Sequence, residues 1–402
     1  MSGIGKCLTA GLLAVILSGS VSSSLASDHL DTRSLIADPR ADIGDIYAWM
    51  SPDGRRLNLV MTIVGHSFAG DLKYSFHIDS GRSFDHTRAN VTLRCQFPSD
   101  STTDCRLGGI DSARGDSRVE TGLESRRGLM RVFSGLRNDP FFNNVRGTRA
   151  AYSVASTAIG RGAAVDEAGC AAMSPKISAE LMQTWRQTDG GPARDFLASF
   201  TPMAIVASID VAAVTRGGPF LAVWGSVRRG DVQVDRAARP LTANSLLGTL
   251  GPSDLSDAMK EEWNGESQRG LARFAPLIAE GLALYDGFDG ACGNQWLADP
   301  SFGDARRYGL LSTVLTDDRL WINSQARSCE TLFAVERAAL SKASALQMDC
   351  GGRAPSYDSA NIYRSLLVDG SSDSISDGLH KDDHAHSDGV FPFLAPADDV
   401  AK

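Results

Sequence analysis

No stretch of this 402-residue chain stays apolar long enough to cross a bilayer. A spanning helix needs roughly 20 apolar residues, and the best candidate, residues 7–17, is about half that length. A stable membrane span is therefore not expected. Enzyme signatures are missing as well: there is no G-x-S-x-G, no H-E-x-x-H, no G-x-x-x-x-G-K-[ST] and no G-x-G-x-x-G after a strand. Standard nucleotide and serine-hydrolase chemistry loses support accordingly. C-x-x-C-H is missing too, which removes covalent haem attachment. No histidine occurs between residues 87 and 379, so a histidine-based site has to be built from the two ends of the chain. Cations are outnumbered, 40 Lys plus Arg against 48 Asp plus Glu, and a formal net charge of −8 makes nucleic acid and anionic lipid poor partners.

What the amino end does contain is a leader pattern. Lys6 precedes the apolar run, and small residues lead to Ser24-Leu25-Ala26, the small-x-small form that a signal peptidase cuts. Residues 1–26 read as a removable signal peptide and residues 27–402 as the mature chain, bound for a periplasm or the outside of the cell. Cys7 opens the apolar run, whereas a lipid-modified cysteine would end it, so it leaves with the leader. Cys95, Cys105, Cys170, Cys292, Cys329 and Cys350 remain, an even set in an oxidising compartment, which favours disulfides over free thiols. None has C-x-x-C spacing, so their expected role is structural. Six cysteines allow 15 pairings. Cys95 with Cys105 is the expected one, because a strand over 91–97 is followed by Pro98-Ser99-Asp100-Ser101, a turn that brings the chain back.

The period of the apolar residues changes along the chain. Strands are expected over 46–50, 57–64, 72–79, 88–97, 128–133, 203–211 and 220–227, where β-branched and aromatic residues concentrate and Ser51-Pro52-Asp53-Gly54 supplies a turn. Helical spacing takes over at 253–263, 267–285, 304–314 and 329–347, with Ser253 and Asp304 as N-caps. Pro276 would interrupt the second of these, leaving a kink or two shorter helices. The expected class is α+β: an antiparallel β-sandwich-like core with helical elaborations mainly in the second half. In one large domain, about 27–240 is β-rich, about 250–350 helix-rich, and 369–402 a loop-rich tail.

Several segments together resemble a known family. The opening Ser27-Asp28-His29-Leu30-Asp31, with Ala41-Asp42-Ile43-Gly44-Asp45-Ile46-Tyr47-Ala48-Trp49 and Ser51-Pro52-Asp53, is similar to the start of the bacterial secreted domain-of-unknown-function family numbered 4331. Further matches follow in order: Phe133-Ser134-Gly135-Leu136-Arg137-Asn138-Asp139-Pro140-Phe141-Phe142, Val223-Trp224-Gly225, Cys292-Gly293-Asn294-Gln295, Asp317-Asp318-Arg319-Leu320-Trp321, and the stretch from Ser376-Asp377-Gly378 to Phe391-Pro392-Phe393-Leu394. The resemblance covers the mature chain and implies export from a bacterial cell; it brings no settled activity, substrate or catalytic residue. Family members often open with Ser-His-Arg-Glu where this chain has Asp28-His29-Leu30-Asp31, so a role for that Arg or Glu has no counterpart here. The pattern around Tyr47 and Phe76-His77-Ile78-Asp79 also looks like secreted sandwich modules that bind sugars or haem.

The densest chemistry lies in the tail, where Asp382-Asp383-His384-Ala385-His386-Ser387-Asp388 brings imidazoles and carboxylates together. Such a set suits a divalent ion: zinc, manganese, iron or copper with nitrogen ligands, calcium with oxygen alone. An extended His384-x-His386 places both rings on one side. With the mature amino terminus folded back, the expected ligands are Asp28, His29, Asp383, His384, His386 and Asp388, near the joined termini. The competing reading of this tail is a solvated loop. Asp369, Asp373 and Asp377 lack the spacing of an EF-hand loop. His77 and Asp79 share a strand face, as ligands, an acid–base pair or, preferably, polar outer surface. Asn138 to Phe142 reads as a ligand-facing lip or, preferably, a loop pinned by Phe141 or Phe142. Trp49 and Trp224 read as core. First in rank stands an exported, non-catalytic binding protein with a metal or another small ligand, or an envelope partner. A metal-dependent hydrolase or oxidoreductase comes second, and a structural envelope protein without a small ligand third.

Overall fold

The computed structural model describes residues 32–99 and 101–397. The expected leader, residues 1–26, and the expected ligands Asp28 and His29 lie outside the described residues. In chain order the strands are β1 Ile43–Met50, β2 Arg56–Ile63, β3 Leu72–Ser83, β4 His86–Ser99, β5 Thr102–Leu107, β6 Asp111–Gly115, β7 Leu123–Glu124 and β8 Met130–Leu136. There follow β9 Gln187–Thr188, β10 Gly191–Pro192, β11 Met203–Asp210, β12 Phe220–Arg229, β13 Val232–Ala237 and β14 Leu320–Asn323. A five-stranded sheet has the order β1-β2-β11-β8-β7, and a seven-stranded sheet runs β13-β12-β3-β4-β5-β6 with β14 also on β12. Every pairing is antiparallel.

The two sheets pack face to face, as expected for an α+β fold with a sheet core. Gly225 on β12 is one point of close approach: a Cβ there would stand 2.5 Å from Ile46 Cδ1 and 2.9 Å from Met61 Cε. β1, β2 and β11 are buried along almost their whole length, which accounts for continuous apolar runs where a one-sided strand would alternate. β4 does alternate. Val91, Leu93, Cys95 and Phe97 are buried, while Asn90 and Arg94 are exposed.

The region expected to be β-rich also holds two helices of more than ten residues, Val145–Gly160 and Pro175–Trp185. Asn144 caps the first by accepting from Gly147 N–H, and Ser174 caps the second ahead of Pro175. Later come Ser253–Gly265, Ala275–Asp286, Gly309–Thr316, Ala334–Leu340 and Ser359–Val368. Pro276 falls in the first turn of Ala275–Asp286, directly after a short 3₁₀ turn over Gly270–Phe274, so the expected long element is two shorter ones. Asp304 is an N-cap, accepting from Arg306 N–H. Ser253 is not one: it is the first helical residue, and Pro252 precedes it as the cap. The expected helix over 329–347 shrinks to Ala334–Leu340 and a 3₁₀ turn, because Cys329 is tied to Cys350.

Cys95 and Cys105 stand directly opposite each other on β4 and β5, 4.1 Å apart at Cα, and form a disulfide that closes the hairpin as expected. Cys170 pairs with Cys292, 122 residues away, and Cys329 with Cys350. Among the described residues no helix is long and apolar enough to cross a membrane.

Candidate functional site

Parts of three of the segments quoted for the family resemblance, Asp45–Trp49, Arg137–Phe142 and Phe391–Leu394, meet on the outer face of the five-stranded sheet. Asp45, Tyr47 and Trp49 project from β1 away from Ile46, and the 137–144 loop, the strand-like bridge at Arg353 and the tail cover them. Arg353 pairs with Asp45 and donates to Ile46 O at 3.3 Å. Its guanidinium carbon lies 4.1 Å from the centre of the Tyr47 ring and 5.2 Å from that of Phe141. Tyr47 donates to Asp139 Oδ1 at 2.7 Å, and Thr62 donates to Asp139 Oδ2 at 2.6 Å. Burial pushes the Tyr47 phenol well above its ordinary pKa, so it remains the donor of this pair. Phe141 and Phe142 are both buried, which makes Asn138 to Phe142 a pinned loop. Trp49 is buried too, donating to Asp388 O and packing edge-on against Phe393. Each charge on this face is desolvated and answered by another group of the protein.

In the tail, the structure brings His384 and His386 together with Asp382 rather than Asp383 or Asp388. Asp382 Oδ1 is 3.3 Å from His384 Nδ1 and 3.3 Å from His386 Nε2. The side chains of His386 and Asp382 are only 5% and 8% exposed. Asp383 is exposed, and the Asp388 carboxylate accepts from Ser356 N–H and Oγ–H. Asp195 stands close enough to feel both Asp382 and Asp377; burial first, then those two charges, push its carboxyl up to about 6. Two features work against a bound ion in this arrangement. His386 Nδ1 accepts from Ala395 N–H at 3.1 Å, which places the ring proton on Nε2, the nitrogen that faces Asp382. A ligating neutral imidazole would need that nitrogen bare and its other proton aimed at Ala395 N–H. Moreover, the three side chains do not form a set with all ligand atoms within 4.8 Å of one another. The one such set among the described residues is Cys170, Asp286 and Cys292, whose sulfurs are consumed in a disulfide. Asp286 there accepts from Gly293 N–H, Gln295 N–H and Tyr308 O–H.

His77 and Asp79 do not act as a pair. His77 stacks on Trp224 with centroids 3.9 Å apart and bonds Ser226 Oγ at 2.9 Å, while Asp79 pairs with Arg319. Asp369 accepts from Ser371 N–H and Ser374 Oγ–H, and Asp377 is buried against Asn144 N–H and Arg364.

A second candidate, unexpected from the sequence, lies on the open face of the seven-stranded sheet. A groove of about 700 Å³ runs between the β5–β6 turn and the loop before β8, and Arg106, Arg114, Arg126 and Arg127 line it. All four are exposed. Its two carboxylates are already engaged. Asp104 takes the fork of Arg106 through two bonds of 3.1 Å. Asp111 is 7% exposed and accepts from Ser125 Oγ–H and from the N–H groups of Ser112, Arg127 and Leu129. Burial opposes the Asp111 charge, yet those four donors hold its pKa below the usual carboxylate range. The same bonds fix the loop that carries Arg126 and Arg127. Gly108 supplies the left-handed turn residue (φ +53°) at the facing hairpin tip. Arg94 extends the basic surface, opposite Arg106 in register. Among the described residues, Arg94, Arg126 and Arg127 form no ion pair with a carboxylate, and Arg114 acts on Asp104 only through its field. The alternation of Arg94 with buried neighbours on β4 was the available signal; net charge hid it.

No protein-family model matches this sequence, and no curated protein or solved structure is significantly similar to it.

Proposed function

We propose that this chain is an exported, non-catalytic binding protein whose ligand is anionic and docks in the arginine-lined groove. The observation that carries this reading is the pairing pattern: both carboxylates of the groove are held by protein donors, and among the described residues three of its four guanidiniums form no ion pair with a carboxylate, Arg114 reaching Asp104 only through its field. An anion arriving there gains charge-assisted bonds without displacing an internal partner. Export is supported by the leader pattern and by three disulfides, which belong to an oxidising compartment. Membership of the secreted family named above is part of the same reading, supported by the contact of two of its quoted segments through Tyr47 and Asp139.

The test uses the protein's own acidity. With a formal charge of −8, the chain as a whole is repelled by a sulfonated cation-exchange matrix at pH 7.5. Retention is expected nonetheless, with loss of retention in Arg114→Ala/Arg126→Ala/Arg127→Ala. A wild-type protein that flows straight through in low salt would remove the reading.

A divalent ion in the tail is the second reading, favoured by the contact of Asp382 with both imidazoles. It requires His386 to release Ala395 N–H and turn. Elemental analysis of the untagged exported protein decides it: a stoichiometric metal lost in Asp382→Asn would establish the ion, and a metal-free protein that takes up no added zinc would dismiss it.

A further inference from the structure

We infer that the anionic ligand is an acidic polysaccharide, a linear chain of sugar carboxylates laid across strands β4, β5 and β6; this rests on the anion-binding reading above. Arg94 and Arg106 face each other across neighbouring strands, and Arg114 lies on the next strand, opposite Asp104. Neighbouring strands are separated by about 4.8 Å, so the guanidiniums form a row that crosses the strands instead of a single point of charge. Arg126 and Arg127 continue the row on the far wall. A row suits a repeating anion. A single phosphate would engage one or two members and leave the rest in water.

The groove's remaining chemistry selects among polyanions. Its lining contains no aromatic side chain, whereas single-stranded nucleic acid is held by stacking its bases on aromatic platforms. Ile110 is the one large apolar residue in the lining, too little to anchor in a lipid interface, where binding scales with buried apolar area. What is present is the arginine fork, whose paired donors match the two oxygens of a planar carboxylate. Asp104, Ser112 and the glycine-rich turn at Gly108 and Gly109 add the small polar surface that sugar hydroxyls use.

The experiment is native affinity electrophoresis in gels containing polygalacturonate, with parallel binding to an oligo-dT strand and to phosphatidylglycerol vesicles, at two salt concentrations. The wild-type protein is expected to be retarded by polygalacturonate, less at higher salt. Arg114→Ala/Arg126→Ala is expected to weaken that binding at least tenfold, about the value of one charge-assisted bond. Arg216→Ala/Arg269→Ala removes the same charge from exposed positions elsewhere and is expected to change nothing. Equal retardation of wild type and the groove variant would overturn the inference. Binding to oligo-dT or vesicles without binding to polygalacturonate would overturn the polysaccharide and leave the anion reading standing. Binding to none of the three would bring down both.

Discussion

The outer faces of the two sheets handle charge in opposite ways. On the five-stranded sheet, Asp45, Arg353, Asp139 and Tyr47 lie under a loop and the tail, and each is matched inside the protein. On the β4–β6 side of the seven-stranded sheet, Arg94, Arg106 and Arg114 stand in water with cations in excess. A buried charge without a partner costs several kcal/mol, so covering a face forces one-to-one pairing. An exposed charge carries no such penalty. The residues that are free to recognise something else are therefore the ones that stability leaves alone.

This contrast predicts an order of effects. Arg353→Ala removes the buried ion pair to Asp45 and the cation above Tyr47, and is expected to cost about 3–5 kcal/mol in urea unfolding. A loss below about 1 kcal/mol would mean that the covered face is wetter than its burial indicates. His77 lies at the border between covered and open sheet, and gives the intermediate case. Burial first, then the cations Arg236, Arg94 and Arg228, lower its pKa from 6.5 to about 4. The unfolded chain thus binds a proton at a pH where the folded chain does not. Stability from this residue is complete above pH 6.5 and falls away as the pH drops to 4, by up to about 3 kcal/mol. The slope of stability against pH between those values should be shallower in His77→Gln; identical slopes would show that His77 is already charged when folded. The smallest effect belongs to the groove. Arg114→Ala/Arg126→Ala/Arg127→Ala should shift stability by no more than about 0.5 kcal/mol. A larger loss would make those arginines architectural and weaken their claim on a ligand.

How far the sequence reached follows from which forces are local. Strands such as β2 and β11 were legible because their burial on both faces leaves continuous apolar runs, and the β4–β5 disulfide because a turn joins two strands in register. Val145–Gly160 escaped notice because the face it buries is made largely of small residues, Gly147, Thr148, Ala151, Ala155 and Ala158, rather than large apolar ones. Tail chemistry was visible as composition, but the selection of Asp382 over Asp383 and Asp388 was not. That choice depends on Ala395 holding one side of His386 and on Ser356 occupying Asp388, contacts made nine and 32 residues away. Asp111 shows the same limit: its partners, Ser125, Arg127 and Leu129, come from a different loop.

The bond between Cys170 and Cys292 has a further consequence when the chain is cut by a protease. Any single cut between those residues leaves the two fragments covalently joined, so a nicked molecule migrates as one species until it is reduced. The helix Pro175–Trp185, the sheet strands β11 to β13 and the helix Ala275–Asp286 all lie inside that loop. Damage to this part of the chain would thus be silent on a non-reducing gel and visible only after reduction.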